Sequence, residues 1–268
     1  MIKNIFILII LFVVGFFSIR VLEKRTIFFP TRNVLETPSM MGLDFQDLTL
    51  STSDGQEIKA WYVPAKNARF VLLFFHGNGG NLSNRVEKIA FFNSLGFNVF
   101  IIDYRGFGKS SGSPSEKGLY LDAQASYDYL VNNLKFKHKQ IIIFGESLGG
   151  SVAVECASRN KVSAVILEST FSSVKDMAQK VCPFFPIWIL ESRFDSLDKI
   201  GNLNVPLLMM HSRDDEIVPF EFSEKLFKNA GYPKTFIELS GAHNDAFITH
   251  QDTIRKKMKT FLMKVKPY

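Results

Sequence analysis

The stretch Gly145-Glu146-Ser147-Leu148-Gly149 sets a serine between two glycines, where the apolar run Gln140 to Phe144 gives way to the helix-compatible Ser147 to Arg159. A serine on so sharp a strand-to-helix turn has its hydroxyl lifted above the strand end, and glycines on either side give the turn room. The N-terminus of the following helix brings free N–H groups and a partial positive charge to the same point, which suits a developing oxyanion. The chemistry this pattern favours is nucleophilic attack on a carbonyl. A glycine-rich packing turn with an incidental serine is the plainer alternative, and the strand before and helix after argue against it.

A serine hydroxyl needs a base, and the base needs an orienting acid. The histidines are His76, His138, His211, His243 and His250. In such an elbow the chain order is serine, acid, histidine, which removes His76 and His138. His211 would need its acid between itself and Ser147, and His250 falls inside the last helical segment. His243 lies in Ser240-Gly241-Ala242-His243-Asn244-Asp245, a loop between the last strand and the last helix. For the acid, the strand Val205 to Met210 runs into Asp214-Asp215-Glu216. A loop at a strand tip is expected to present only one of the three, and composition leaves the choice open.

These residues must be positioned by the elements around them. Phe45 to Thr52 and Glu57 to Val63 read as an antiparallel hairpin closed by Ser53-Asp54-Gly55. Phe70 to Phe75 is a continuous apolar run, the signature of a strand buried on both faces. Strands then alternate with helices: Asn98 to Ile102, Gln140 to Phe144, Val162 to Leu167, Val205 to Met210 and Lys234 to Leu239 against Leu82 to Leu95, Leu119 to Leu134, Ser147 to Arg159, Phe220 to Asn229 and Ala246 to Met263. The expected fold class is α/β: a mostly parallel eight-stranded sheet with helices on both faces and an antiparallel N-terminal hairpin. Phe171 to Ile200, with its apolar Cys182 to Leu190, is too long for a tight connection and reads as a lid insertion over about 171–200.

Ile5 to Ile19 is apolar apart from Gly15 and Ser18, and Arg20, Glu23, Lys24 and Arg25 follow. A span wants about 20 residues with a lower limit near 17, reached here if Arg20 snorkels. No small-residue cleavage site follows the run. Residues 1–25 are therefore expected to be an uncleaved single-pass anchor rather than a signal peptide or a buried helix, with residues 26–268 as one domain. Lys3 and the amino terminus against Arg20, Lys24 and Arg25 place that domain, by a small margin, on the cytoplasmic side. Net charge is +6, with Arg255, Lys256, Lys257, Lys259, Lys264 and Lys266 crowding the C-terminus. A solvated helix face accounts for that run, and attraction to an anionic membrane is the alternative. No nucleic-acid motif is present. Gly77-Asn78-Gly79-Gly80 lacks the Lys-Ser/Thr of a phosphate-binding loop. The two cysteines form no framework.

Five motifs in order, His76-Gly-Asn-Gly-Gly-Asn81, Asp103-Tyr-Arg-Gly-Phe-Gly-Lys-Ser-Ser-Gly112, the elbow, His211-x-x-x-Asp215-x-x-Val218-Pro219 and Gly241-Ala-His243, resemble the α/β-hydrolase superfamily. The resemblance is to its serine-aminopeptidase-like branch with N-terminally anchored members, and it covers residues 26 to 265. It implies Asp215 as the acid, although Ser212 stands where the family usually has glycine and so leaves Asp214 open. It implies oxyanion donors at the backbone N–H of Asn78 and, after the nucleophile, of Leu148. His76 reads as structural, and Tyr104 and Arg105 as packing groups. The expectation is a membrane-anchored serine hydrolase using Ser147, His243 and Asp215, with no metal and no cofactor. Its substrate would be a small-molecule or lipid-like acyl ester or thioester. A peptidase, or a non-enzymatic binding module on the same fold, is the alternative.

Overall fold

The computed structural model of the chain describes residues 15, 18–184, 186–231 and 233–265. Eight strands form one sheet: β2 (Gln46–Ser51), β3 (Glu57–Val63), β4 (Phe70–Phe75), β6 (Phe97–Ile102), β7 (Ile141–Glu146), β8 (Ala164–Glu168), β9 (Leu207–Ser212) and β10 (Lys234–Leu239). Their spatial order is β10-β9-β8-β7-β4-β6-β3-β2, and a separate two-residue pair joins β1 (Phe29–Pro30) to β5 (Gly79–Gly80). The sheet is parallel from β10 to β6, and antiparallel where β6 meets β3 and β3 meets β2. This is the eight-stranded, mostly parallel sheet with an antiparallel N-terminal part that the alternation of elements implies.

Side chains on β4 explain its apolar run. Val71, Leu73 and Phe75 enter one core with α2 (Glu116–Asn132), α3 (Leu148–Arg159) and α6 (Phe220–Asn229). Leu72 and Phe74 enter the other with α1 (Val86–Ser94) and α8 (Gln251–Leu262). Successive side chains point to opposite faces, so a strand covered on both sides cannot alternate with polar residues.

Three expectations change in detail. The helix expected from Ala246 to Met263 is two, α7 (Ala246–Thr249) and α8, broken at His250. The segment from Leu82 starts as a 3₁₀ turn, Leu82–Arg85, before α1, because Asn81 caps it by accepting from the Ser83 N–H. The insertion after β8 holds a short helix α4 (Val174–Val181), a 3₁₀ turn at Ile187–Ile189 and α5 (Leu197–Ile200).

The expected membrane span, Ile5 to Ile19, lies almost wholly outside the described residues. Among the described residues no helix is long and apolar enough to cross a membrane. Residues 18–27 are helical and lead into Phe28, which is buried against Phe194. Cys156 is buried and Cys182 exposed, and they are not bonded to each other.

Candidate active site

Ser147 sits between β7 and α3 with φ 52° and ψ −117°. Few L-residues adopt a positive φ unless surrounding contacts enforce it. Here the Ser147 N–H donates to Glu168 O at 2.8 Å, and Ser147 O accepts from the Gly150 N–H and from Thr170 Oγ1. The flanking glycines follow from close approach. A Cβ on Gly149 would lie 2.0 Å from Phe75 O, and one on Gly145 2.4 Å from Gly149 O. Ser147 is 8% exposed, and its Oγ makes no hydrogen bond among the described residues.

His243 occupies the loop between β10 and α7, with its Nδ1 2.6 Å from Asp215 Oδ2. The three consecutive acids after β9 do not behave as a loop presenting only one. All reach the histidine loop, each at a different group. Asp214 Oδ2 accepts from the Gly241 N–H at 3.0 Å, and Glu216 Oε2 from the His243 N–H at 3.0 Å. Only Asp215 touches the imidazole. Its other oxygen, Oδ1, accepts from the N–H groups of Ile217 (3.0 Å) and Val218 (2.7 Å). Burial opposes ionisation of Asp215, but hydrogen bonds from His211 and His243 outweigh it and hold the carboxyl well below the ordinary carboxylate range.

His211 is a participant that pattern reading used only as a landmark. It is fully buried, with Nε2 3.0 Å from Asp215 Oδ2 and 2.9 Å from Val218 O, and Nδ1 2.5 Å from Ser223 Oγ. Asp215 Oδ2 thus lies within hydrogen-bond distance of two imidazole rings at once. The sequence signal was available in the four-residue spacing from His211 to Asp215.

Asn78 follows β4 in the loop His76 to Asn81. Its backbone N–H, like that of Leu148 at the first position of α3, has no protein acceptor among the described residues. The loop is held from three sides. The Phe29 N–H donates to Asn78 O at 2.9 Å, the Thr31 N–H to Gly80 O at 3.0 Å, and Asn78 Nδ2 to Ile27 O at 3.0 Å. Residues 27–31 thus pack on the domain. His76 is buried beneath the same loop, with Nδ1 2.7 Å from Gly77 O and Tyr104 Oη donating to His76 O at 2.9 Å. Arg105 bridges Asp54 and Asp122. Tyr104 and Arg105 are thus packing and bridging groups.

Beside His243 lies a cavity of about 500 Å³. Under it runs a chain of ion pairs: Arg85 Nη2–Glu146 Oε1 at 3.1 Å, Lys88 Nζ–Glu146 Oε2 at 3.0 Å and Lys88 Nζ–Glu168 Oε1 at 2.7 Å. Burial raises the Glu168 carboxyl and Glu146 adds to it, whereas Arg85 and Lys88 overcome burial at Glu146 and lower it. No group of three or more His, Cys, Asp or Glu able to hold a metal occurs among the described residues.

The alpha/beta hydrolase fold family matches residues 71–189. The chain is 34% identical to the alpha/beta hydrolase domain-containing protein WAV2 of Arabidopsis thaliana, over 86% of this chain and 82% of that one. It is 32% identical to YfhR of Escherichia coli K12, over 81% and 80%. Among solved structures, a Pyrococcus furiosus esterase, Pf2001, superposes with a TM-score of 0.75 at 20% identity, covering 88% of this chain and 96% of that one. With such relatives over most of its length, and with the elbow at the edge of this sheet, the chain belongs to the α/β-hydrolase superfamily.

Proposed function

We propose that the protein is a serine hydrolase of acyl esters or thioesters. Ser147 Oγ attacks the carbonyl carbon while His243 Nε2 takes the hydroxyl proton. Asp215 fixes the imidazole with Nδ1–H toward itself and stabilises the cation that forms. The N–H groups of Asn78 and Leu148 receive the oxyanion, each a contribution of about 3–4 kcal/mol in comparable holes. His243 then gives its proton to the leaving group, and water attacks the acyl-serine by the same route in reverse. The observation that carries this reading is the 2.6 Å contact of His243 Nδ1 with the buried carboxyl of Asp215 at the sheet edge where Ser147 is held at positive φ. The Ser147 Oγ to His243 hydrogen bond is expected to close when substrate binds, as in other ligand-free sites. The resemblance in fold to an esterase supports the reaction class. The apolar run Ile5 to Ile19 supports a membrane location.

The test is covalent labelling with a fluorophosphonate. Wild type should label and Ser147→Ala should not, with unchanged circular dichroism. Labelling that persists in Ser147→Ala would assign the nucleophile elsewhere.

A further inference from the structure

Acyl transfer fixes where the leaving group must lie. As the bond from the carbonyl carbon to the leaving oxygen breaks, that oxygen takes its proton from His243 Nε2, and the acyl group stays on Ser147 Oγ. The departing alcohol therefore rests against the imidazole. The cavity of about 500 Å³ beside His243 is large enough for a small alcohol, and its walls are not those of a lipid site. Arg85, Lys88, Glu146 and Glu168 make its charged floor, and the one large aliphatic side chain in its lining is Ile248. Two atoms of lining residues, Glu168 Oε2 and Ser169 Oγ, are buried without any hydrogen-bond partner. Glu87 and Asp245 stand exposed at the cavity, and neither makes an ion pair among the described residues. Four carboxyl groups thus face two cations.

Two physical consequences follow. An alkyl leaving group would strip water from ion pairs and return no hydrogen bond, which is unfavourable. A polar alcohol replaces that water. The carboxyl excess, held at the rim by Glu87 and Asp245, favours a cationic alcohol over an anionic one of the same size.

We infer that this cavity is the leaving-group site and that the enzyme releases a polar alcohol, with an ammonium-bearing one preferred to a phosphorylated one. The inference rests on Ser147 being the nucleophile, and it narrows the substrate to acyl esters whose alcohol half is polar, whatever the acyl chain.

The experiment uses the full chain in detergent and butyryl esters of four alcohols: 1-butanol, glycerol, 2-(trimethylammonio)ethanol and 2-(phosphonooxy)ethanol. Fluorophosphonate labelling is read in parallel. The glycerol and ammonium esters should show a higher kcat/KM than the butyl ester, and the phosphorylated ester the lowest. Glu87→Lys should lower the ammonium-to-phosphate ratio roughly three- to tenfold, the size of screened surface charge interactions, and 0.5 M NaCl should shrink that change. Comparing one pair of esters between wild type and variant cancels their intrinsic reactivities. Intact labelling with a preference for the butyl ester, or with a ratio that Glu87→Lys leaves unmoved, overturns the leaving-group assignment and spares the nucleophile. Absence of labelling in wild type, or its persistence in Ser147→Ala, overturns the nucleophile and the inference with it.

Discussion

Asp215 has one oxygen bound by two backbone N–H groups and the other shared by two imidazoles. Its neighbours hold only backbone N–H groups of the histidine loop, Asp214 at Gly241 and Glu216 at His243. Asp215→Asn should therefore lower kcat about 10⁴-fold, the loss seen when a triad acid no longer fixes the tautomer. Asp214→Asn should cost under tenfold, and equal losses in steady-state assays would reverse the roles. Its depressed carboxyl also carries a stability signature. A pKa lower in the folded than in the unfolded chain stabilises fully above the unfolded value, about 3.9, and is lost as pH falls through the folded value. The gap between wild type and Asp215→Asn in urea unfolding should be widest near pH 7 and should close on acidification below about pH 4. A gap that widens in acid would mean that the aspartate is not the ionised partner. Gly149→Ala should fail for a steric reason, since its Cβ would sit 2.0 Å from Phe75 O, a backbone atom. The expected loss is several kcal/mol of stability, as for overpacking against a part that cannot yield.

Among elements, the most consequential is the strap from residue 20 to residue 31. Arg20 donates to Ile189 O at 2.8 Å, and the buried Glu23 carboxylate accepts from the N–H groups of Glu191 and Ser192. Eight residues after Glu23, Thr31 closes the pairing with Gly80 beside Asn78. The strap thus touches both the insertion after β8 and the loop offered as the oxyanion hole. A chain starting at residue 20 should keep turnover of a short soluble ester within about threefold. One starting at residue 32 should lose at least tenfold in kcat and melt several degrees lower, as expected when buried Phe28 and three loop hydrogen bonds go. Equal activity of the two truncations would show that the loop holds its shape unaided. None of this was legible in Ile27-Phe28-Phe29-Pro30, because its partners lie about 50 residues on and a two-residue strand has no period. The ion pair of Lys88 with Glu168, 80 residues apart, was hidden for the same reason. By contrast, the elbow, the β4 run and the His243 loop were legible, since local sterics and two-sided burial dictate their residue types. The break at His250 was missed because the apolar spacing continues across it while the ring bonds Ala246 O at 3.0 Å.

At the scale of the whole molecule, apolar surface gathers where the strap meets the insertion. Val181, Phe184 and Trp188 are 83%, 96% and 78% exposed, and Ile189, next to Trp188, is the residue that Arg20 holds. The helix of residues 18–27 therefore meets the insertion beside this face. Residues 20–268 should still bind phospholipid vesicles in flotation, and Trp188→Ser should weaken that binding without changing hydrolysis of a soluble ester, as expected for an aromatic at headgroup depth. Complete release on truncation, with no effect of Trp188→Ser, would confine membrane contact to the N-terminal run.

The two cysteines give this architecture a built-in reporter. Burial pushes the Cys156 thiol up to about 12, so under neutral conditions almost no thiolate is present there, while Cys182 stands exposed at the end of α4. A maleimide dye added to the native protein should therefore settle on Cys182 alone, without mutagenesis, between α4 and the turn that carries Trp188. Its emission would report on the surroundings of that one residue, so a shift on adding phospholipid vesicles would mark contact at the exposed face of Val181, Phe184 and Trp188.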